Sequence, residues 1–121
     1  MKNNVIADKS FKFAVRIVNL YKYLCSEKNG YGRGEFVLSK QILRSGTSIG
    51  ANVHEAIQAQ SNADFTAKMS IALKEASETE YWLKLLVSTD YLSVSQYESI
   101  MCDASEIIKI LTSIVKTSRA K

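Results

Sequence analysis

Proline is absent from all 121 residues of the chain, and this absence constrains the fold more than any other feature of the sequence. Proline ends or kinks a helix because it lacks a backbone N–H, so long uninterrupted helices are permitted everywhere along this chain. The residues are 46% hydrophobic and 23% charged, which is a globular composition and argues against collagen-like, disulfide-framework and disordered classes. A chain of this length forms one domain that can bury roughly two thirds of its unfolded surface.

Apolar residues recur at three- and four-residue spacing in four segments, which is the period of a helix and not of a strand. The predicted helices span residues 9–28, 37–59, 62–88 and 94–117. Ser61 with Asp64, and Ser93 with Gln96, have the spacing of capping boxes before the third and fourth helices. The sequence therefore predicts an all-α fold, a single domain over residues 1–121 with the up-down-up-down topology of a four-helix bundle.

The first predicted helix is apolar over an unusually wide arc, and its polar residues form only a narrow strip. The surface helix of a monomer normally buries about a third of its circumference. We expect this helix to bury one side in its own domain and another against a second subunit, which predicts a homo-oligomer. The alternative is that its aromatic residues lie flat on the surface with their rims in water.

The second predicted helix carries a run of small residues and a line of polar ones. Gly46 and Gly50 indicate that another helix approaches closely, because each glycine otherwise costs a helix about 1 kcal/mol. Four polar residues share the side opposite the apolar seam: Arg44, Ser48, Asn52 and Glu55. We expect a hydrogen-bonded interface, either to Glu75 and Glu78 within the bundle or across subunits, with Arg44 bidentate to a carboxylate.

Positive charge is concentrated in the first half of the chain. The formal net charge is +4, with nine Lys and Arg against four Asp and Glu in residues 1–60, and seven against eight in residues 61–121. Such a surface favours an anionic partner, namely RNA, DNA or an acidic protein surface. The candidate nucleic-acid-binding residues are Lys9, Lys12, Arg16, Lys22 and Lys40, with the basic tail 116–121. The alternative is a solvated face whose cations pair with the acidic third helix.

Catalytic and metal sites find little support in the sequence. His54 is the only histidine, so a di-iron bundle site cannot be built, and zinc lacks ligands at paired spacing. Cys25 with His54 lacks a third orienting group. Glu75 and Glu78 could hold Mg²⁺ as in the all-α nucleotide pyrophosphohydrolases, but the second acidic pair of those enzymes is missing. We therefore expect a non-enzymatic protein without metal or cofactor, and a metal-dependent nucleotide hydrolase is the remote alternative.

The two cysteines and the lack of targeting segments bear on location. Cys25 and Cys102 stand 77 positions apart among apolar neighbours, which is typical of buried, reduced thiols inside a cell. The first residues contain no signal-peptide apolar stretch, and no window approaches 18 apolar residues without charge. These features predict a cytoplasmic protein that does not cross a membrane.

One block of the sequence resembles a known family. Residues 36–56 are FVLSKQILRSGTSIGANVHEA, and the pattern continues with DF at 64–65, IALKEA at 71–76, ETEYWL at 78–83 and YL at 91–92. Over roughly residues 10–115 the chain is similar to a bacterial family of small helical bundles, named for reading frames inside intervening sequences of 23S ribosomal RNA genes.

The resemblance implies a four-helix bundle that assembles as a ring-like homopentamer and has no established enzymatic activity. A related branch, the accessory proteins of diversity-generating retroelements, binds nucleic acid and a reverse transcriptase through basic pentamer surfaces. Five copies of this chain would carry a net charge of about +20 on one ring, enough for salt-sensitive phosphate binding. A protein–protein assembly scaffold without nucleic-acid binding is the other interpretation that the sequence leaves open.

Overall fold

A computed structural model describes residues 2–121, with side chains from Val5 onward. Four α-helices make up the fold, and no strand forms in these residues. The helices are α1 (Lys2–Cys25), α2 (Leu38–Ile57), α3 (Asn62–Ser88) and α4 (Val94–Arg119). The all-α prediction is confirmed, and α3 has the predicted bounds.

The main departure from the predicted helices is α1, which begins at Lys2 rather than near residue 9 and ends at Cys25 rather than near residue 28. The early turn is helical because Ile6 is fully buried in the core, although the polar residues around it dilute the apolar period. At the other end, the Asn29 amide donates to the Leu24 carbonyl at 2.8 Å and so replaces a helical hydrogen bond.

Contacts between helices show that α1 is antiparallel to α2, with Gly46 near Ile17 and Gly50 near Ser10, and that α1 is also antiparallel to α4. Lys9 and Arg16 of α1 meet Glu106 and Asp103 of α4, so the two helices run in opposite directions. The neighbours α1–α2, α2–α3 and α3–α4 pack extensively, whereas α1 and α4 close the bundle along a thinner contact. The topology is therefore the up-down-up-down bundle that the sequence predicts.

Side chains satisfy the backbone N–H groups at the starts of three helices. The capping box of α4 is complete: Ser93 Oγ accepts from Gln96 N at 3.1 Å, and Gln96 Oε1 accepts from Ser93 N at 2.9 Å. Ser61 accepts from Asp64 N at 3.0 Å, which is only the first half of the box predicted for α3. The α2 N-terminus is capped by the buried carboxylate of Glu35, which accepts from three backbone N–H groups, those of residues 37, 38 and 39.

The core explains the two glycines of α2. A Cβ atom on Gly46 would lie 2.7 Å from Cγ1 of Ile17, which is fully buried on α1. A Cβ on Gly50 would lie 3.2 Å from the backbone oxygen of Ser10. The predicted close approach of another helix is thus confirmed, and the partner is α1.

The wide apolar arc of α1 divides into an inner and an outer part. The inner residues belong to the core: Ile6, Phe13, Ile17, Leu20 and Leu24. The outer residues are exposed, with Phe11 at 69% and Val15 at 47% of their full accessibility, and Val5 is exposed beside them. Burial in the monomer therefore accounts for only one side of this arc.

The cysteine prediction is only partly correct. Both thiols are free, but Cys102 is exposed and Cys25 is half-buried. Cys102 lies outside the buried stripe of α4, which follows Ile100, Ala104 and Ile107 at helical spacing. Apolar neighbours in sequence therefore did not indicate burial, because adjacent helical residues point about 100° apart.

Candidate nucleic-acid interface

The loop between α1 and α2 is fixed by one buried side chain. Asn29 Oδ1 accepts from the N–H groups of Tyr31 and Gly32 at 2.9 and 3.1 Å. Its amide nitrogen donates to the carbonyls of Leu24 and Arg33. A single asparagine thus bridges both ends of the loop and holds the loop in one defined conformation.

Four exposed cations lie in this loop and in the helix turns beside it: Lys22, Lys28, Arg33 and Lys40. We call them the loop-end cations. The end of α1 and the start of α2 are adjacent, because Cys25 Sγ lies 3.8 Å from Ser39 Oγ. Among the described side chains, none of the four takes part in an ion pair. Of the two acids in the same segment, Glu27 is exposed, whereas Glu35 is buried and committed to the α2 N-terminus, so positive charge prevails at this surface.

Three cations nearer the start of α1, Lys9, Lys12 and Arg16, have a different environment, although the sequence groups them with Lys22 and Lys40. Lys9 Nζ lies 2.9 Å from Glu106 Oε1, and Arg16 Nη1 lies 2.8 Å from Asp103 Oδ2, both on α4. Lys12 Nζ lies 3.0 Å from Asp8 Oδ2 on the same helix. The predicted basic face of α1 is therefore ion-paired inside the monomer, with α4 and α1 itself rather than with the acidic third helix.

The polar line on α2 connects α2 to α3 within one chain. Arg44 Nη1 lies 3.4 Å from Glu75 Oε2, and its Nη2 contacts Glu78 Oε2. The guanidinium therefore binds two carboxylates with one nitrogen each, which differs from the predicted bidentate pair with one carboxylate. At the far end of the line, Glu55 Oε1 lies 3.0 Å from Lys68 Nζ of α3.

The two middle residues of that line form hydrogen bonds to backbone carbonyls of their own helix. Ser48 Oγ donates to the Arg44 carbonyl at 2.6 Å, and Asn52 Nδ2 donates to the Ser48 carbonyl at 2.8 Å. Hydrogen bonds of this kind to the preceding turn are common for short polar side chains in helices. Only the two ends of the line, Arg44 and Glu55, reach α3.

The arrangement offers little to a metal or to a nucleophile. Within the part of the chain that the structure describes, no three His, Cys, Asp or Glu side chains come together as a metal site. Glu75 and Glu78, the candidate Mg²⁺ ligands, face the guanidinium of Arg44. Cys25 lies beside Ser39 at the start of α2, whereas exposed His54 lies fifteen residues later, roughly 22 Å along the helix. The two therefore do not form a catalytic pair.

Opposite the loop end, α1 and α2 border a groove of about 460 Å³. His54 and Glu55 also line it, but most of its lining residues are apolar or small. These are Ala7, Ala14, Gly50, Ala51, Val53 and Ile57. Phe11 lines this groove and is itself exposed.

Sequence reasoning missed several residues of the loop end. Lys28 and Arg33 are not among the candidate cations of the sequence, because they lie beside and within the glycine-rich stretch 30–34 rather than on a repeated helical face. The exposed aromatics Tyr31 and Phe36 lie in the same loop and alternate with its cations. Basic residues interleaved with aromatic ones are typical of nucleic-acid binding, so the signal was present in the sequence.

Comparison with known proteins decides the family. The family model described as 23S rRNA-intervening sequence protein matches the chain over residues 2–113. The chain belongs to this family. The resemblance seen in the sequence is thereby confirmed, and the loop that carries Lys28 and Arg33 lies inside the matched range, whereas residues 114–121 lie outside it.

A solved structure shows the same fold as this chain. It is a protein of unknown function from the S23 ribosomal protein family of Bacteroides thetaiotaomicron VPI-5482, 65% identical in sequence. The superposition has a TM-score of 0.90 and covers 96% of this chain and 99% of that chain. No curated protein matches the chain. In the described residues, no helix combines the length and apolarity that crossing a membrane requires.

Proposed function

We propose that this protein is a non-enzymatic bundle that assembles into a homo-oligomer, a ring of five as the family resemblance implies, and binds RNA or other nucleic acid at its loop end. The observation that carries the proposal is the set of four exposed loop-end cations, none of them in an ion pair among the described residues. Phosphate binding by such cations releases counterions and supplies most of the sequence-independent affinity for nucleic acid.

Two further features support this location over the basic face of α1. Lys9, Lys12 and Arg16 on that face already have carboxylate partners, so binding phosphate there would first require those ion pairs to open. The loop end also exposes Tyr31 and Phe36, whose rings can contact bases or ribose. A ring of five copies would present about twenty loop-end cations, and such multivalency strengthens binding without new contacts.

The assembly part of the proposal depends on the outer face of α1. Phe11 is exposed and lines a groove of about 460 Å³ between α1 and α2, and Val15 is exposed one turn further along α1. Burying an exposed phenylalanine stabilises an association by about 1.5–3 kcal/mol. A second copy that covers this face would therefore be stabilised substantially by each phenylalanine side chain that it buries. This contact lies at the opposite end of the bundle from the loop-end cations, so one chain can serve both contacts at once.

Binding to a structured ribosomal RNA fragment, titrated at several salt concentrations, tests the nucleic-acid part. We expect Lys22→Gln with Lys40→Gln to weaken binding and to reduce the slope of log K against log salt by about two, because each substitution removes one cation from the phosphates. The matched control is Lys12→Gln with Arg16→Gln, which removes the same charge from ion-paired positions and has a smaller effect. Equal weakening by the two double variants would contradict the loop end as the site, and no wild-type binding at low salt would favour the assembly scaffold instead.

Light scattering tests the assembly part independently of RNA. We expect wild-type protein to scatter as an oligomer, and Phe11→Asp to bring the mass down toward the 13.5 kDa of one chain. Phe36→Asp is the matched control, because it places the same charge on an exposed phenylalanine at the other end of the bundle. An unchanged mass in Phe11→Asp would contradict this contact, and a wild-type mass equal to that of one chain would contradict assembly altogether.

A further inference from the structure

Tyr81 of α3 is an exposed aromatic residue that its neighbours hold in place. Its ring is 56% exposed and packs edge-on against Trp82, with centroids 5.3 Å apart and planes at 70°. Trp82 Nε1 donates to Glu78 Oε2 at 3.0 Å, and the same carboxylate binds Arg44 of α2. A chain of contacts across two helices thus supports Trp82, and the Tyr81 ring rests against it with its other side toward solvent.

Cations flank this ring on two helices. Lys74 and Lys84 lie seven residues before and three residues after Tyr81, on the same exposed stripe of α3. Lys40 precedes Arg44 by one turn on α2, and since α2 and α3 are antiparallel, it lies level with the turn of α3 that follows Glu78. None of these three lysines forms an ion pair within the described side chains.

We propose that Tyr81 is a stacking platform for an unpaired base of single-stranded nucleic acid, with Lys40 and Lys84 on the adjoining phosphates. The inference rests on the proposed function and goes beyond it, because it specifies a single strand as the ligand. An exposed aromatic ring can stack only on a base that has left its own helix, since the bases of a duplex are covered by their neighbours. Flanking cations that follow the backbone complete the usual arrangement for single strands.

An acid next to Tyr81 in the sequence provides a second test of this surface. Glu80 is half-buried one residue before Tyr81 and four residues before Lys84, and it forms no ion pair among the described side chains. Its carboxylate would repel a phosphate bound to Lys84. Glu80→Gln is therefore expected to tighten binding of a single strand by about two- to five-fold, in the direction opposite to the removal of a cation.

The test uses oligouridylate of about a dozen residues and an RNA duplex of the same length. Trp82 is the only tryptophan of the chain, so its fluorescence reports directly on the ring beside it. We expect the single strand to quench Trp82, Tyr81→Ala to weaken its binding about ten-fold, and Tyr81→Phe to bind like wild type. Ile71→Ala, an exposed apolar truncation on the same helix, is the matched control and leaves binding unchanged.

The outcomes separate this inference from the proposed function. A wild-type protein that binds duplex RNA but not the single strand would overturn the stacking platform and leave nucleic-acid binding in place. Tyr81→Ala that weakens both ligands equally, or neither, would also overturn it, as would a change in oligomer mass, which would make this surface an assembly contact. No binding of either RNA form by wild type would overturn both proposals.

Discussion

The two sides of α1 are held by different kinds of interaction. Toward α2 the contact is apolar and close: Ile17 lies against Gly46 with no room for a methyl group between them. Toward α4 the contact is thinner and ion pairs lie along its edge, with Lys9 on Glu106 and Arg16 on Asp103 at partly exposed positions. The α2 side is therefore specified by shape and the α4 side by charge.

Because of this difference, the two sides contribute unequally to the free energy of unfolding. Core side chains are packed at crystal-like density, so a single added methyl group on the α2 side forces its neighbours to move. Ion pairs at partly exposed positions contribute about 0–1 kcal/mol each, because water and salt screen them and their side chains lose freedom. We expect substitutions at the close α2 contact to dominate stability, and substitutions of the ion-paired residues on the α4 side to be nearly neutral.

The largest expected effect is that of Gly46→Val. Its Cβ would lie 2.7 Å from Ile17 Cγ1 and 2.8 Å from Cγ2, and both atoms belong to a stiff, β-branched, fully buried side chain. We expect the free energy of unfolding to fall by about 3 kcal/mol, the upper part of the range for overpacked cores. Urea denaturation at fixed protein concentration measures this decrease.

A smaller substitution at the same site should have opposite effects on stability in two backgrounds. In an Ile17→Ala background the two clashing atoms are gone, so Gly46→Ala should raise stability by up to about 1 kcal/mol through helix propensity. In the wild-type background the same Gly46→Ala should lower it. Identical effects in both backgrounds would show that the close α1–α2 approach does not determine the glycine.

The sequence predicted local features of the fold better than it predicted which residues contact each other. Helical period, caps and the absence of proline are local signals, and they were sufficient for α3 and for the capping box at Ser93. Gly46 also indicated that another helix approaches closely. It did not identify that helix as α1, because a small residue shows only that a neighbour is close. The early start of α1 was missed because one buried residue, Ile6, makes no period by itself.

The candidate site was less predictable, because a charge pattern on one helix does not show which charges face it. Lys9, Lys12 and Arg16 formed the more obvious basic cluster in the sequence, and all three have carboxylate partners in the fold. Two of the matching acids, at positions 103 and 106, stand three apart on α4, a spacing complementary to the basic face of α1. Lys28 and Arg33, by contrast, are exposed and form no ion pair among the described side chains.

A smaller effect is expected on the α4 side, where Arg16 and Asp103 permit a double-mutant cycle. Arg16 also donates to Ser99 Oγ at 2.6 Å, so single substitutions remove more than the ion pair, and the cycle isolates it. With Arg16→Gln and Asp103→Asn we expect a coupling free energy of about 0.2–1 kcal/mol that falls further in high salt. A coupling as large as the destabilisation by Gly46→Val would remove the distinction between the two sides.

The smallest expected effect concerns Lys9 and appears only in alkaline solution. The hydrogen bond to Glu106 and the charge of that carboxylate raise the pKa of Lys9 above its ordinary 10.5. Because the folded pKa lies above the unfolded one, the contribution of the pair is fully present below the unfolded pKa and is lost as the pH rises through the folded one. We therefore expect the difference in unfolding free energy between wild type and Lys9→Gln to shrink from about pH 10 upward.

The matched control for this pH series is Lys109→Gln, an exposed α4 lysine without an ion pair among the described side chains. Other lysines and tyrosines that titrate in the same range are present in every variant, so their contributions cancel in the differences. The difference for Lys109→Gln should stay level where that for Lys9→Gln declines. Parallel curves for the two variants would mean that Glu106 does not hold Lys9 in solution, and that Lys9 is as free for phosphate as the loop-end cations.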